Sequence, residues 1–220
     1  MCGRFANSET IPAMRATFAA DGLDVSWSPS WNITPTRQIP VLIQDRRSRR
    51  LGLMRWGWNP DALGGRLLVN CRGEEAHAKR MFQSPLESRR CLIPATAFYE
   101  WRPAAQMKAK PTPFAFAPRA GGLFAIAGLW LPMTNADGTR SGAAILMTVP
   151  ANTVVAPVHD RMPLVIGPDQ AAAWLTDPAA ARELITTPPA EEWTSWRIGP
   201  AIGDVRRDGP DIAEQATDIT

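Results

Sequence analysis

Between residues 91 and 149 the chain contains five short apolar segments: CLI (91–93), AFYEW (97–101), FAF (114–116), LFAIAGLW (123–130) and AILMTV (144–149). They are built from β-branched, aromatic and other apolar residues, and Gly or Pro separates them. Such segments are typical of strands. Because they are short and often interrupted, they predict a strongly bent, barrel-like antiparallel sheet.

Further elements are predicted on either side of this region. Two strands at 39–43 and 51–56 form a hairpin around an Arg-rich turn, and a short strand at 67–69 stops at Asn70. Helices are predicted from Ser8 to near Gly22, at 74–82 ending before Pro85, at 168–174 and at 177–184. The sequence therefore predicts an α+β fold: a single β-rich domain over 1–220 with a few flanking helices. A closing strand and a loose tail, at about 208–220, are expected to end it.

Length and composition fit a globular protein. The chain has 220 residues, of which 45% are hydrophobic and 20% charged, with a mean hydropathy of −0.17. No apolar run approaches the ~18 residues of a membrane span, and neither a secretory nor a transit leader opens the sequence. We therefore expect a cytoplasmic protein without a membrane partner. Glycosylated, fibrous, collagenous and wholly disordered classes are excluded.

Basic charge is concentrated in the first half of the chain. Residues 1–110 contain 17 Lys and Arg against 9 Asp and Glu, whereas residues 111–220 contain 7 against 12. This asymmetry indicates a basic surface with an anionic partner, although the Arg-rich run at 46–50 can equally be a solvated loop. Nine Trp against one Tyr provide indoles for the core and, where exposed, for stacking on bases.

The first residues are the most informative for chemistry. Met1-Cys2 places a small residue second, and an initiator Met is commonly trimmed before small residues. Trimming would leave Cys2 with a free α-amine beside its thiol, a pair that condenses with an aldehyde to an imine and closes to a thiazolidine. An α-amine has a pKa of about 7.7–8, so part of it is neutral at neutral pH. Alternatively, Cys2 is an acyl-transfer nucleophile or a chance cysteine in a frayed terminus.

Glu100 lies inside an aromatic strand, where a carboxylate is costly to bury unless it is paired or protonated. It is either the ion-pair partner of Arg89 or Arg90, or a general acid–base with a raised pKa. Asn70 follows a predicted strand end, where side chains can converge on a cleft; a helix cap explains it as well.

His159 lies in a proline-flanked loop beside Arg161 and is suited to proton transfer or phosphate contact, or is simply a hydrogen-bonded loop residue. The second histidine, His77, is expected to be exposed. Neither histidine has a paired ligand spacing with the three cysteines, so no metal is predicted. Cys71 and Cys91 lie beside apolar strands and are expected to be buried, inert thiols.

The chain resembles the SRAP (SOS response-associated peptidase) family over nearly its whole length. The resemblance rests on these segments in order: MCGRF (1–5), NITP (32–35), WG (56–57), NCRGE (70–74), RMF (80–82), RCLIP (90–94), FYEW (98–101), MT (147–148), AN (151–152) and HDRMP (159–163). It departs from the family pattern at Trp58-Asn59-Pro60, and at Cys71 and Gly73. The first departure concerns the shape of a wedge against the DNA bases.

The resemblance implies a sensor of abasic sites in single-stranded DNA, which crosslinks itself to the lesion as a thiazolidine in DNA repair and the SOS response. It places the catalytic residues at Cys2, Asn70, Glu100 and His159, and the DNA contacts at Arg4, Trp56, Arg72 and Arg161. It also implies a monomer in the bacterial nucleoid, needing no cofactor, with AP-lyase chemistry and autocatalytic Met1 removal as further activities.

Two other functions fit the same residues. One is an N-terminal-cysteine peptidase or amidohydrolase, in which Cys2 cleaves an amide. The other is a non-covalent module for single-stranded DNA, for which the basic first half and the Trp residues would suffice.

Overall fold

The computed structural model describes residues 2–22, 26–59, 64–104, 106, 110–135 and 137–216. Its strands are β1 (Phe5–Asn7), β2 (Asp21–Gly22), β3 (Ser30–Ile33), β4 (Gln38–Gln44), β5 (Arg49–Trp56), β6 (Asn70–Arg72), β7 (Arg90–Ala95), β8 (Ala97–Arg102), β9 (Thr112–Pro118), β10 (Phe124–Thr134), β11 (Arg140–Pro150), β12 (Arg161–Pro163), β13 (Val165–Ile166) and β14 (Trp193–Arg197). Its helices are α1 (Ile11–Thr17), α2 (Gly73–Ala76), α3 (Arg80–Ser88), α4 (Ala171–Thr176) and α5 (Pro178–Glu183). Single 3-10 turns cover Pro168–Gln170, Ala190–Glu192, Pro200–Gly203 and Pro210–Ala213.

Five strands close into a barrel. β11 pairs with β10, β10 with β7, β7 with β4 and β4 with β5, all antiparallel. The circle is completed by a parallel pairing of β5 with β11, in which Trp56 lies opposite Ala144. The prediction of a β-rich α+β fold with a strongly bent, barrel-like sheet is therefore confirmed.

A second sheet lies beside the barrel, with the strand order β14-β9-β8-β1-β3. Side chains alternate between its two faces. Phe98 of β8 belongs to the main core, whereas its neighbour Tyr99 belongs to a smaller cluster with Ile202 and Ile212. Glu100 follows at the next alternate position, so the sheet directs it to the same side as Phe98.

The C-terminal segment packs on the outer face of this second sheet. The Asp208 carboxylate accepts hydrogen bonds from the backbone N–H groups of Trp31 and Asn32 and from the hydroxyl of Ser30. Ile212 is buried, and residues up to 216 continue to bond with the sheet. The expected loose tail is therefore wrong for residues 208–216, because a buried isoleucine and a bonded carboxylate fix them. Residues 217–220 lie outside the described part of the chain.

Several predicted boundaries differ from the observed ones. α1 is capped by Thr10, whose hydroxyl accepts from the N–H of Ala13, and not by Ser8. The predicted strand at 67–69 is displaced to β6, and the predicted helix at 74–82 is split into α2 and α3. α3 also runs through Pro85. Burial of the Pro85 ring compensates for the hydrogen bond that a proline cannot donate inside a helix.

Arg90 is a buried cation that joins α3 to α4. Its guanidinium donates to the backbone carbonyls of Leu86 and Glu87 on one helix and of Trp174 and Leu175 on the other. These carbonyls lie at helix C-termini, where hydrogen-bond acceptors lack intrahelical partners and attract positive charge. Arg90 is therefore a structural residue and does not act as the partner of Glu100. No helix among the described residues is long and apolar enough to span a membrane.

Candidate active site

Strand β1 brings the start of the chain against β8. Phe5 pairs with Phe98, and the backbone N–H of Tyr99 donates to the carbonyl of Arg4 at 3.0 Å. Extending this antiparallel register toward the amino terminus places Gly3 opposite Glu100 and Cys2 one position further along, opposite Trp101. The Cys2 side chain is fully buried, and its Sγ lies 3.7 Å from the carbonyl oxygen of Arg4.

The thiol of Cys2 is a neutral group in this environment. Burial raises its pKa well above the usual range, and the nearby Glu100 carboxylate raises it further. At neutral pH the cysteine is therefore a thiol and not a thiolate.

Asn70 holds the backbone of Cys2. It is the first residue of β6, which runs parallel to β11 with Asn70 opposite Leu146. The side-chain Nδ2 donates to the carbonyl oxygen of Cys2 at 2.8 Å. The Oδ1 of Asn70 is buried and has no hydrogen-bond partner among the described residues, so it is an available acceptor facing the site. A buried acceptor without a partner carries a free-energy cost that a ligand hydroxyl could relieve.

Glu100 is a buried carboxyl group, only 4% exposed. Burial raises its pKa to about 7, because desolvation disfavours the charged form. At neutral pH both its protonated and its ionised forms are populated. A group in this state can give and take a proton near neutrality.

His159 faces Glu100 from the loop between β11 and β12. Its Nε2 lies 4.0 Å from the Oε2 of Glu100. Burial lowers the pKa of His159, so its ring is mainly neutral at pH 7. The loop is held by Asn152, whose side-chain oxygen accepts from the N–H groups of Val154 and Val155, and by the N–H of His159, which donates to the carbonyl of Val155.

The four predicted catalytic residues thus come together from four separate segments. Cys2 bonds to Asn70, its thiol is electrostatically coupled to Glu100, and Glu100 lies beside His159. An imidazole and a carboxyl of shifted pKa around a cysteine can carry out proton transfer and nucleophilic addition. Within the described ranges, no group of three or more His, Cys, Asp or Glu is arranged to hold a metal ion.

A basic groove opens beside the site. It is a cavity of about 440 Å³ lined by Arg66, Leu68, Asn70, Cys71, Arg72, Lys79, Met81 and Phe82. The Arg72 side chain is 55% exposed and pairs with Glu75 at 2.7 Å. Such an exposed pair contributes little to stability because solvent screens it, so a phosphate can replace Glu75 as the partner of Arg72. The positive charges of Arg66, Arg72 and Lys79 suit the phosphates of a DNA strand, and the apolar side chains that line the groove suit its bases.

Arg161 does not present its guanidinium to the solvent. Its two terminal nitrogens bind the carboxylate of Glu74, one of them at 2.9 Å, and Nη2 also donates to the carbonyl of Thr148 at 2.8 Å. The residue is 9% exposed. The phosphate contact of Arg161 stays a prediction: here its terminal nitrogens bind protein oxygens, which a phosphate would have to replace.

Trp56 is also differently placed from the prediction. It is fully buried, its Nε1 donates to the carbonyl of Val69 at 3.1 Å, and its ring meets Phe5 edge-on at 5.1 Å. No base can stack on it in this structure. The structure gives no support to the predicted DNA contact of Trp56: its indole fills the core and packs against Phe5 of β1.

Arg4 is half-buried and bonded within the protein. Its Nη1 donates to the side-chain oxygen of Asn32 and, at 2.6 Å, to the carbonyl of Ile202, and its guanidinium lies over the Trp101 ring at 5.5 Å. These contacts fix the backbone next to Cys2. A phosphate contact by Arg4 would compete with them. The other two cysteines, Cys71 and Cys91, are buried with raised thiol pKa values, as expected of inert thiols.

Sequence reasoning overlooked the role of Glu74. The carboxylate was visible in the segment NCRGE (70–74), but its partner 87 residues away could not be deduced from spacing. Asn152 was likewise visible only as part of AN (151–152). Asn152 caps the turn that begins the His159 loop, and the sequence does not predict that turn.

Fold and site together define a class of protein: a closed five-stranded β-barrel with a second-position cysteine held against a buried carboxyl and an imidazole. A family model described as "SOS response associated peptidase (SRAP)" matches residues 1–205. The chain belongs to the SRAP family, as its resemblance indicated.

Curated relatives cover the chain almost completely. The chain is 30% identical over 224 residues to the abasic site processing protein YoqW of Bacillus subtilis, covering 97% of this chain and 99% of that one. It is 27% identical over 226 residues to the abasic site processing protein YedK of Escherichia coli, with the same coverage. It is 23% identical over 232 residues to the abasic site processing protein HMCES of Rattus norvegicus, covering 86% of this chain and 66% of that one.

Solved structures share the fold. A crystal structure of a protein from Bacteroides thetaiotaomicron has a TM-score of 0.86 at 18% identity, covering 98% of this chain and 100% of that one. A crystal structure from Bordetella bronchiseptica has a TM-score of 0.75 at 23% identity, covering 90% and 100%. At these identities the likeness establishes the architecture and nothing of the chemistry.

Proposed function

We propose that the chain captures abasic sites in single-stranded DNA by forming a covalent thiazolidine through Cys2. The observation that carries the proposal is the position of Cys2, bonded to Asn70 and coupled to the Glu100–His159 pair. Relatives that align with nearly the whole chain are named abasic site processing proteins. Abasic-site handling is thus the function that both the site and the family favour.

The chemistry begins when removal of Met1 frees the α-amine of Cys2. An abasic sugar equilibrates between a closed hemiacetal and an open aldehyde, and only the aldehyde reacts. The amine adds to C1′, giving a carbinolamine, which loses water to form an imine. The thiol then adds across the C=N bond: sulfur bonds to carbon, and the thiol proton passes to nitrogen. Protein and sugar are joined with the loss of one water.

The neighbouring side chains supply the proton transfers. His159 assists opening of the sugar ring. Glu100, with its pKa raised to about 7 by burial, removes a proton from the attacking amine and returns one to the departing hydroxyl. Asn70 offers Oδ1 to the open-chain sugar hydroxyl while Nδ2 holds Cys2. Positioned acid–base catalysis of this type typically contributes about 10²–10⁴-fold.

The basic groove is proposed to hold the DNA strand next to the lesion. Arg72 would contact phosphate, an interaction that is independent of base sequence and sensitive to salt. Sequence tolerance suits a protein that must recognise damage anywhere. We propose that the chain acts as a monomer on single-stranded DNA in the nucleoid, needs no cofactor, and can nick the strand as a lyase from the imine stage. Removal of Met1 by the site itself is proposed as part of the same chemistry.

Incubation of the purified protein with an oligonucleotide that carries one abasic site tests the proposal. A band that survives denaturation and boiling, with the mass of protein plus DNA less one water, is expected. An oligonucleotide with a tetrahydrofuran at the same position is the control, because it has no aldehyde and should form no such band. Intact mass must show a chain without Met1. A complex that boiling dissociates would leave only non-covalent binding, and cleavage of an amide substrate without crosslinking would favour a peptidase.

A further inference from the structure

The backbone N–H of Arg161 favours one tautomer of the His159 ring. The N–H of Arg161 lies 2.9 Å from Nδ1 of His159. A backbone amide can only donate, so this contact requires a lone pair on Nδ1 and places the ring proton on Nε2. Nε2 is the nitrogen that faces Glu100, at 4.0 Å.

The same Nδ1 has acceptors within reach for the protonated ring. The carbonyl oxygen of Arg161 lies 3.2 Å away, and Oδ1 of the exposed Asp160 lies 3.1 Å away. A protonated ring would turn its Nδ1–H toward these oxygens, whereas the neutral ring accepts from the amide. The shorter contact, from the Arg161 N–H at 2.9 Å, therefore favours a proton on Nε2 when His159 is neutral.

The Arg161 backbone is anchored through its own side chain. Arg161 pairs with Pro150 of β11, which fixes one side of β12. Its guanidinium binds both carboxylate oxygens of Glu74 and the carbonyl of Thr148. A bidentate arginine–carboxylate pair fixes direction as well as distance. The hydrogen bonds from Arg161 keep the Glu74 pKa below its usual range, so the pair is fully charged at neutral pH.

Glu74 connects two parts of the site that are distant in sequence. It lies in the first turn of α2, which follows directly after β6 and therefore after Asn70. Its partner Arg161 follows the His159 loop. The pair thus ties the segment that holds Cys2 to the segment that presents the imidazole.

We propose that Glu74 is a positioning residue, which acts through Arg161 to keep the His159 proton on Nε2, facing Glu100. This inference rests on the proposed function for its kinetic consequence, but the tautomer itself is a property of the protein without DNA. Glu74 touches neither the sugar nor the reacting atoms. Replacing Glu74 leaves Cys2, Asn70, Glu100 and His159 unchanged in sequence. It affects only whether the proton of the neutral His159 ring is on Nε2, facing Glu100, or on Nδ1.

The first test measures the tautomer directly. The chain contains only two histidines, so protein labelled with ¹⁵N at the histidine rings gives two spin systems, and His77 is an internal reference. In the wild type, at a pH above the pKa of His159, we expect an unprotonated Nδ1 and a protonated Nε2 on this ring. In Glu74→Gln we expect mixed tautomers at His159 and an unchanged His77. Glu87→Gln, which removes a surface pair with Arg182, is the matched control and should leave both rings unchanged.

The second test separates rate from affinity. The rate of adduct formation at saturating abasic oligonucleotide should fall at least about tenfold in Glu74→Gln, by analogy with partners that orient metal-bound histidines. The dissociation constant for the unreactive tetrahydrofuran oligonucleotide should stay within about twofold, as expected when an interaction matters only in the reaction step. Glu74→Asp keeps the charge and should restore the single tautomer and most of the rate.

The outcomes are decisive in each case. An unchanged tautomer in Glu74→Gln, or a loss of affinity equal to the loss of rate, overturns the inference. If Glu74→Gln does not fold, Arg161→Lys, which cannot form the bidentate pair with Glu74, is compared with Glu87→Gln instead: a tautomer mixture in Arg161→Lys alone, with a slower adduct, supports the inference, and identical spectra overturn it. A wild type that forms no adduct defeats the proposed function, while the tautomer measurement still decides the role of Glu74.

Discussion

Nε2 of His159 lies 4.0 Å from Oε2 of Glu100, and burial shifts their pKa values in opposite directions. The pKa of Glu100 rises to about 7 and that of His159 falls. A carboxyl and an imidazole are ordinarily separated by about two pKa units, with the carboxyl the stronger acid. Here desolvation removes that difference, so one proton can move between the two groups at little cost in free energy. Opposed shifts of neighbouring groups are typical of acid–base sites.

Replacement of the Cys2 thiol should separate the imine from the final adduct. Cys2→Ser keeps the α-amine, so we expect a reversible imine that borohydride can trap, without a boiling-resistant product. Denaturing gels with and without borohydride measure both. Cys91→Ala, which alters another fully buried cysteine, should still crosslink. Durable adducts from Cys2→Ser would disprove ring closure by sulfur.

Glu100→Gln should slow adduct formation by about 10²-fold or more, because the amide cannot exchange a proton with the reacting groups. Affinity for the tetrahydrofuran oligonucleotide should change little. Where loss of water limits the wild-type rate, that rate should fall as pH rises through about 7, because Glu100 then lacks the proton that it returns to the departing hydroxyl. That limb should be missing from the pH–rate profile of Glu100→Gln. A variant that loses affinity and keeps its rate would make Glu100 a structural residue.

The same substitution should stabilise the protein at high pH. Because the folded pKa of Glu100 is raised from 4.5 to about 7, the native state binds an extra proton between these values, and stability falls as pH rises through this window. Glu100→Gln has no such loss. Urea unfolding should therefore show the variant more stable than the wild type at pH 8, by up to about 3 kcal/mol, with the difference vanishing near pH 4. A difference independent of pH would refute the shift.

Arg72→Ala should weaken binding to undamaged single-stranded DNA and lower the slope of log K against log salt by about one. The loss should be similar for different base sequences, because a phosphate contact carries no sequence information. Titrations at several salt concentrations measure the slope. Arg119→Ala is the matched control. Arg119 lies directly after β9, and its guanidinium donates to the backbone carbonyls of Glu191 and Trp193. Equal slopes for Arg72→Ala and the wild type would remove Arg72 from the DNA contacts.

Trp56→Phe should reduce stability and leave DNA affinity nearly unchanged. The smaller ring leaves a cavity and deprives the Val69 carbonyl of its donor, and we expect a loss of about 1–3 kcal/mol in the free energy of unfolding. Denaturant unfolding and DNA titration of the folded variant measure the two effects. A selective loss of affinity would instead mean that the indole leaves the core to meet DNA.

Local sequence patterns predicted the strands, but they did not predict how the strands close into a barrel. The two short runs at 39–43 and 51–56, with the Arg-rich turn between them, were enough to predict the β4–β5 hairpin, because its partners are close in the chain. The parallel pairing of β5 with β11 joins residues nearly 90 positions apart, and no local pattern specifies it. Pro85 misled the prediction of α3 because tertiary packing compensates for what the isolated helix would lose.

The candidate site shows the same division. Cys2, Glu100 and His159 stood out because each residue is chemically unusual for its segment. Arg161 and Trp56 were assigned to DNA by family resemblance, but the direction of a side chain depends on its partners. The Glu74 carboxylate binds the guanidinium of Arg161, and the Val69 carbonyl accepts a hydrogen bond from the indole of Trp56. Asp208, assigned to a tail, bonds to β3 across 177 residues of chain.

The contact between Arg4 and the carbonyl of Ile202 joins residues 198 positions apart in the chain. Closing so long a loop costs chain entropy, and contacts between such distant residues slow folding. The backbone next to Cys2 therefore depends for its final position on a segment near the far end of the described chain, and it settles late when the protein folds.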